Sequence, residues 1–175
     1  MRKSKRAVFV DRDDTIAKDV PYCSRPEDMK LFGGVPEAIA KLNRAGLLVI
    51  LITNQSGIAR GFFTEEMLTK IHEKMISDIA AGGGKIDDIF YCPHHPDERC
   101  GCRKPEIGMG TAAVAKHGID VKRSFMIGNS EADAEFGKAL GCTSIKVSEN
   151  FTFVNAVDVI LKDISGQRPS TTFLQ

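Results

Sequence analysis

Short apolar runs rich in β-forming residues alternate along this chain with longer segments of helical periodicity. The runs are AVFV, LLVILITN, DIFYC, SFMIG and SIKV, at residues 7–10, 47–54, 88–92, 124–128 and 144–147. The segments whose apolar residues recur at helical spacing are 35–45, 64–81, 107–117 and 131–140. Parallel strands are apolar on both faces and need helical crossovers, so this alternation predicts an α/β fold. We expect a three-layer sandwich in which helices cover both faces of a central parallel sheet.

Length and charge balance restrict the remaining possibilities. With 175 residues and 42% hydrophobic residues, the chain predicts one domain, residues 1–175. The polar tail from about Ser165 is predicted to be a mobile end or a small addition to that domain. The 24 basic and 23 acidic residues leave a formal charge of +1, which predicts neither a nucleic-acid nor a membrane partner. No run approaches the roughly 20 apolar residues of a membrane span, and the basic start lacks a signal-peptide core. We therefore expect a cytoplasmic monomer.

Polar residues follow the predicted strands at their carboxyl ends, where open parallel sheets bind ligands. They are Asp11 and Asp13 at the first strand, Thr53, Asn54, Gln55 and Ser56 at the second, and Asn129, Ser130, Glu131 and Asp133 at the fourth. Two cations, Arg103 and Lys104, precede the third predicted helix. We expect carboxylates, cations and hydroxyls from separate strand ends to meet in one pocket.

Such a pocket suits phosphoryl transfer. Clustered carboxylates repel one another unless a cation lies among them, and hard oxygen ligands favour Mg²⁺. With Mg²⁺, Lys104 could hold a phosphate dianion beside one aspartate, which attacks phosphorus to form an aspartyl-phosphate. The second aspartate would move protons, and amides and hydroxyls after the second strand would complete the phosphate site. For any single aspartate, simple helix capping is the alternative.

Three cysteines and two histidines crowd the segment CPHHPDERCGCRKP. Cys92, His94, Cys100 and Cys102 have the spacing C-x-H-x5-C-x-C, which predicts a closed tetrahedral Zn²⁺ site with a structural role. His95 could replace His94 as the fourth ligand. Because the loop runs directly into Arg103 and Lys104, its folding would set the position of both cations.

Four segments, DRDDT (11–15), LITNQSGIARG (51–61), CRKP (102–105) and MIGNSEAD (126–133), resemble the ordered motifs of the haloacid dehalogenase superfamily. The resemblance covers residues 7–147. Within the superfamily, TNQSGIARG and YCPHHP…CGCRKP are most similar to the phosphatases of heptose bisphosphates and of histidinol phosphate. The family pattern favours His94 as the zinc ligand.

The resemblance implies a Rossmann-like core with a minimal cap and assigns roles to the motif residues. Asp11 would be the nucleophile and Asp13 the general acid and base. Mg²⁺ would be held by the Asp11 carboxylate, the Asp13 backbone carbonyl and Asn129, with Asp133 supporting. Thr53 and Asn54 would bind the transferring phosphoryl group, and Lys104 would neutralise its negative charge. The residues that would contact the rest of the substrate are Gln55, Ser56, Arg60 and Arg103.

Two residues depart from the motifs. Asp14 stands where the family usually has Gly, and Asn129 stands where it usually has Asp. A neutral amide in place of a carboxylate should weaken Mg²⁺ binding. We hypothesise that Asp14, or less strongly Glu131, partly restores the lost negative charge; independent drift at the two positions is the alternative.

The leading expectation is a Mg²⁺-dependent phosphatase that uses an aspartyl-phosphate intermediate and removes the C7 phosphate of D-glycero-D-manno-heptose 1,7-bisphosphate. Histidinol phosphate, or another small phosphorylated metabolite, is the alternative substrate. A second phosphate would need Arg60 and Arg103, whereas the cation of histidinol would need carboxylates. From another class, a zinc-stabilised binding protein without catalysis would also fit the loop.

Overall fold

Five parallel strands form one sheet in this computed structural model, which describes residues 4–166. They are β1 (Arg6–Val10), β2 (Leu47–Asn54), β3 (Asp88–Cys92), β4 (Phe125–Gly128) and β5 (Thr143–Lys146). Their order across the sheet is β3-β2-β1-β4-β5, and every neighbouring pair is parallel. The order reverses between β1 and β4, and the crevice at such a switch point is where open α/β sheets bind ligands.

Among the described residues, five α-helices connect and follow the strands: α1 (Val35–Arg44), α2 (Glu65–Ala81), α3 (Gly108–His117), α4 (Glu131–Leu140) and α5 (Phe153–Ile164). The first four confirm the predicted helical segments to within one residue at each end. The hydroxyl of Thr64 caps α2 by accepting a hydrogen bond from the Met67 amide. Gly118 and Gly141 end α3 and α4 in left-handed conformation, which glycine adopts without steric cost.

Two apolar layers separate the sheet from its helices. Because side chains alternate along a strand, Val8 and Val10 of β1 face the layer formed with α1, α2 and α5. Ala7 and Phe9 face the opposite layer, where Phe9 meets Phe136 of α4 edge-on at 6.3 Å between ring centroids. The predicted three-layer sandwich is therefore confirmed. Burial of each large side chain in these layers contributes about 1.5–3 kcal/mol.

Two connections leave the carboxyl edge of the sheet after β1 and β2, and they differ in length. Residues 11–34 join β1 to α1 and contain one 3₁₀ turn, Pro26–Asp28, while residues 55–64 join β2 to α2. Neither carries an inserted domain, in agreement with the expected minimal cap.

The end of the chain departs from expectation in one respect, since α5 precedes the polar tail and was not among the predicted helices. Ser165 and Gly166 follow α5, and the rest of the tail predicted to be mobile lies outside the described residues. Within residues 4–166, no helix combines the length and apolarity that crossing a bilayer requires.

Candidate active site

Lys104 lies at the centre of a buried cluster at the β1–β4 switch point. Its Nζ donates hydrogen bonds to Asp11 Oδ1 at 2.6 Å, to Asp133 Oδ1 at 2.6 Å and to the Ile52 carbonyl at 2.9 Å. Only 5% of Lys104 is exposed. The structure thus brings together three predicted site residues from the end of β1, the loop before α3 and the first turn of α4.

Burial and neighbouring charges set the ionisation of this cluster. Burial raises the pKa of Asp11 to about 6, an effect that Lys104 opposes and Asp133 reinforces. Burial alone would lower the pKa of Lys104, but the carboxylates of Asp11 and Asp133 outweigh it and raise that pKa. Because one protonated lysine, Lys104, lies between the carboxylates of Asp11 and Asp133, the cluster carries one excess negative charge. Its oxygen ligands therefore suit an additional cation.

Asp133 serves both the helix and the cluster. Its Oδ2 accepts hydrogen bonds from the amide and the hydroxyl of Ser130, at 3.0 and 2.7 Å, and so caps α4. Its Oδ1 faces Lys104. A Cβ on Gly128 would lie 2.4 Å from Asp133 Cγ, so only glycine lets α4 approach the end of β4 this closely. This geometry suits the predicted supporting role of Asp133.

Asp13 lies beside a cleft rather than within the lysine cluster. Arg12 donates to both of its carboxylate oxygens, Nε to Oδ1 at 2.9 Å and Nη2 to Oδ2 at 3.0 Å. Gln55 Nε2 donates to Asp13 Oδ2 at 3.1 Å and to the buried Thr53 hydroxyl at 2.8 Å. These contacts place the predicted acid and base next to two residues predicted to bind substrate.

Asn54 has an additional task that its motif did not reveal. Its side-chain Oδ1 accepts from the Lys104 amide at 3.0 Å, and its Nδ2 donates to the Lys104 carbonyl at 3.2 Å. The side chain thereby holds the backbone that carries the central lysine. Contact of Asn54 with a phosphoryl group stays a prediction.

The cleft has a volume of about 320 Å³. Its walls are formed by Arg12, Asp13, Asp19, Val20, Pro21, Tyr22, Cys23, Asn54, Gln55, Ser56, Gly57 and Phe63. At its rim, Tyr22 stacks on Phe62 with 4.2 Å between ring centroids, and the Arg60 guanidinium lies 5.9 Å from the Tyr22 ring. The predicted substrate residues of the second strand therefore share one opening with Asp13.

Arg103 follows the cysteine loop and is half-buried. Its Nη1 atom is shut off from solvent and has no hydrogen-bond partner within residues 4–166. A buried donor without a partner costs about 1–3 kcal/mol.

The four predicted zinc ligands converge. One ligand atom from each of Cys92, His94, Cys100 and Cys102 lies within 4.8 Å of the others, which makes the set a candidate metal site. His94 Nδ1 lies 3.2 Å from the Cys102 sulfur and 3.5 Å from the Cys92 sulfur. His95 instead accepts a hydrogen bond from the Asp97 amide and caps the short turn that follows. Geometry therefore selects His94.

The two carboxylates that were expected to compensate for Asn129 each have a local partner of their own. Asp14 has φ +52° and accepts a hydrogen bond from the Asp19 amide at 2.9 Å, so it takes the backbone conformation that glycine favours. Glu131 pairs with Lys146 at 3.3 Å. Compensation of Asn129 by either carboxylate stays a hypothesis.

Sequence reasoning missed Arg12 and His72, although both are buried beside the site. The available signal was the position of Arg12 between two aspartates at a strand end. Nothing in the local pattern of α2 distinguishes His72 from its other core-facing residues.

The parallel sheet and the buried aspartate–lysine–aspartate cluster at its switch point define a hydrolase of the haloacid dehalogenase class. Residues 101–159 match the HAD-hydrolase-like family model. A D-glycero-beta-D-manno-heptose-1,7-bisphosphate 7-phosphatase from Photorhabdus laumondii is 43% identical over 136 residues, which cover 74% of this chain and 72% of the relative. The chain belongs to this family of heptose bisphosphate phosphatases, and it is a phosphoric monoester hydrolase.

Further relatives agree in sequence and in structure. The enzyme of the same name from Vibrio cholerae serotype O1 is 41% identical over 145 residues, covering 79% of this chain and 78% of its own. The crystal structure of D,D-heptose 1.7-bisphosphate phosphatase from B. bronchiseptica, complexed with magnesium and phosphate, matches with a TM-score of 0.83 at 30% identity. That match covers 90% of this chain and 99% of the other.

Proposed function

We propose that this protein removes the C7 phosphate of D-glycero-D-manno-heptose 1,7-bisphosphate through an aspartyl-phosphate on Asp11. The observation that carries the proposal is the buried cluster in which Lys104 bridges Asp11 and Asp133 at the switch point. A nucleophile and a cation for the phosphoryl group are thus held within 2.6 Å of each other, in a site from which water is largely excluded. The names of the relatives supply the substrate.

The reaction divides into two transfers. In the first, a carboxylate oxygen of Asp11 bonds to phosphorus while the bond from phosphorus to the sugar oxygen breaks, and Asp13 gives that oxygen its proton. In the second, Asp13 takes a proton from water, whose oxygen attacks phosphorus and releases Asp11. Lys104 stabilises the charge on the phosphoryl oxygens in both transfers.

The excess negative charge of the cluster supports Mg²⁺ as the cofactor. The residues that would hold it are Asp11, the Asp13 backbone carbonyl and Asn129, with Asp133 supporting. Within residues 4–166, the one hydrogen bond that Asp11 Oδ2 accepts comes from the Thr15 hydroxyl at 3.5 Å, which leaves this oxygen available to a cation. The ion would neutralise the phosphoryl oxygens and lower the repulsion between a dianion and the carboxylates.

For the cysteine loop, we propose a structural Zn²⁺ held by Cys92, His94, Cys100 and Cys102. Four protein ligands leave no position for water, so the ion would stabilise the loop rather than take part in the reaction. The last ligand directly precedes Arg103 and Lys104. By stabilising the loop, zinc would position Lys104 for the transferring phosphoryl group and Arg103 for the other end of the substrate.

A variant of Arg103 tests whether the bisphosphate is the substrate. We expect Arg103→Met to lower kcat/KM for the heptose bisphosphate roughly 10- to 100-fold, because a charge-assisted hydrogen bond contributes about 1.5–3 kcal/mol. A sugar monophosphate without the second phosphate should lose less than about threefold. Steady-state phosphate release on both esters measures this, with exposed Arg99→Gln in the same loop as the control. Equal losses on the two esters would contradict recognition of the second phosphate by Arg103.

Histidinol phosphate stays a second candidate because of Asp19. This carboxylate lines the cleft and has no ion-pair partner in the described part of the chain. Burial, reinforced by Asp13 and Asp14, raises its pKa, so a cationic substrate amine would be favourable beside it. If histidinol phosphate is the substrate, Asp19→Asn should lower its turnover and spare the bisphosphate.

Asn129 provides a test of the Mg²⁺ site. We expect Asn129→Asp to tighten Mg²⁺ binding about tenfold, since an anionic ligand replaces a neutral one. Titration calorimetry on the protein without substrate measures the affinity directly. Asn155→Asp is the control, because it adds the same charge on α5 and keeps the oxygen that accepts from the Thr152 amide.

The same measurement resolves the hypothesis about Asp14. In a cycle of Asp14→Gly, Asn129→Asp and the double variant, compensation predicts that the two effects on affinity are not additive. Additive effects would show that the positions vary independently.

A further inference from the structure

Arg12 is the largest fully buried side chain of the described residues, with 2% of its side chain exposed. Arginine is almost never buried to this extent without a partner, because desolvation of its charge is costly. Within residues 4–166, its one carboxylate partner is Asp13, which it binds through two parallel hydrogen bonds. Such bidentate pairs fix the orientation of the carboxylate as well as its position.

The third nitrogen of the Arg12 guanidinium points toward helix α2. Nη1 lies 3.5 Å from His72 Nε2, and His72 is 6% exposed. Burial, and then the charge of Arg12, lowers the pKa of His72 to about 3, so the imidazole is neutral. A neutral imidazole has one acceptor nitrogen, and next to a guanidinium that nitrogen is Nε2; the proton therefore lies on Nδ1.

We infer that Arg12 and His72 are positioning residues for proton transfer by Asp13. The inference rests on the proposed function, because it gives these residues a task in the same reaction. His72 accepts a hydrogen bond from Arg12 and orients the guanidinium, and Arg12 holds the Asp13 carboxylate at the cleft. Gln55 Nε2 also donates to this carboxylate, at 3.1 Å from Oδ2.

A merely structural role is the competing explanation, and the leaving group of the substrate separates the two. An alkyl phosphate needs a proton on its departing oxygen, whereas p-nitrophenyl phosphate releases a stable anion and needs none. The ratio kcat/KM reports the first phosphoryl transfer and is blind to later hydrolysis of the aspartyl-phosphate. Poor positioning of Asp13 therefore lowers kcat/KM selectively for the alkyl ester.

The experiment compares Arg12→Met, His72→Leu and His72→Gln with the parent protein in saturating Mg²⁺. On the heptose bisphosphate we expect kcat/KM to fall roughly 100-fold for Arg12→Met and roughly tenfold for His72→Leu. On the aryl ester, the fall in kcat/KM for Arg12→Met should be at least about tenfold smaller. His72→Gln should recover most of the activity, because its amide oxygen can accept from Arg12. Met75→Val removes core volume from α2 while Arg12, His72 and Asp13 keep their functional groups, and it should alter both esters equally.

A second measurement does not depend on turnover. Nitrogen chemical shifts should show His72 as the neutral tautomer protonated on Nδ1, and Arg12→Met should change that state. A proton on Nε2, equal losses on the two esters, or full activity in His72→Leu would each overturn the positioning role. A parent protein that hydrolyses neither ester would overturn the proposed function and this role together, whereas an active parent with equal losses would overturn this role alone.

Discussion

Replacing Asp11 with asparagine should lower the kcat of phosphate release at least about 10³-fold. The reason is that an amide cannot form the aspartyl-phosphate on which the reaction depends. The protein itself should remain folded. Asparagine has nearly the same shape, and Lys104 keeps its hydrogen bond to Asp133 at 2.6 Å. Since Asp11 is buried beside another carboxylate, its neutralisation removes a repulsion, and we expect an unchanged or higher melting temperature.

The assay follows release of inorganic phosphate from the heptose bisphosphate, histidinol phosphate and an aryl phosphate in the presence of Mg²⁺. Asp163→Asn, on the surface of α5, changes the same functional group away from the site and should keep parental activity. If Asp11→Asn kept more than about 1% of the parental kcat, Asp11 would not be the nucleophile. No release by the parent from any of the esters would favour a zinc-stabilised binding protein instead.

Loss of the Zn²⁺ proposed for the cysteine loop should have the second large effect. We expect Cys102→Ser to lower zinc content from one ion per chain to near zero and the melting temperature by roughly 10 °C, since metal-binding energy contributes to folding. Activity should fall with it. Lys104 lies two residues beyond this ligand, and displacement of its backbone would break the hydrogen bonds with the Asn54 side chain.

Elemental analysis and thermal melts measure these changes, and a strong chelator should reproduce them in the parent protein. Cys142→Ser is the matched control, because Cys142 is buried, donates to the Gly137 carbonyl and lies outside the cluster. Full zinc content in Cys102→Ser would contradict the ligand assignment. Zinc loss with an unchanged melting temperature would contradict its structural role.

Most of the fold was predictable because the relevant signals are local. Strand β2 reads as a continuous apolar run, and it spans the predicted residues 47–54. Helix α5 was equally readable, with Phe153, Ala156, Val157 and Ile160 buried at helical spacing. The predicted helices nevertheless did not include it.

The site was predictable only where motifs carried it. The four metal-loop residues follow a spacing that few other sites share, and the structure brings them together. Asn54 shows the limit of such reasoning. Its motif indicates contact with phosphate, yet its side chain binds the backbone of Lys104, a residue 50 positions away.

The sequence by itself determined the strands, four of the helices, the candidate nucleophile and the metal-loop spacing, since each depends on neighbouring residues. Only the tertiary structure decided how they combine. Lys104 contacts Asp11, which lies 93 positions away in the sequence, and Asp133, which lies 29 positions away. Arg12 and His72 are in contact although 60 positions separate them. The physical reason is that such contacts depend on the strand order and on the packing of helices against the sheet. No local periodicity encodes that order, so the partners of a buried charge become visible only in the folded protein.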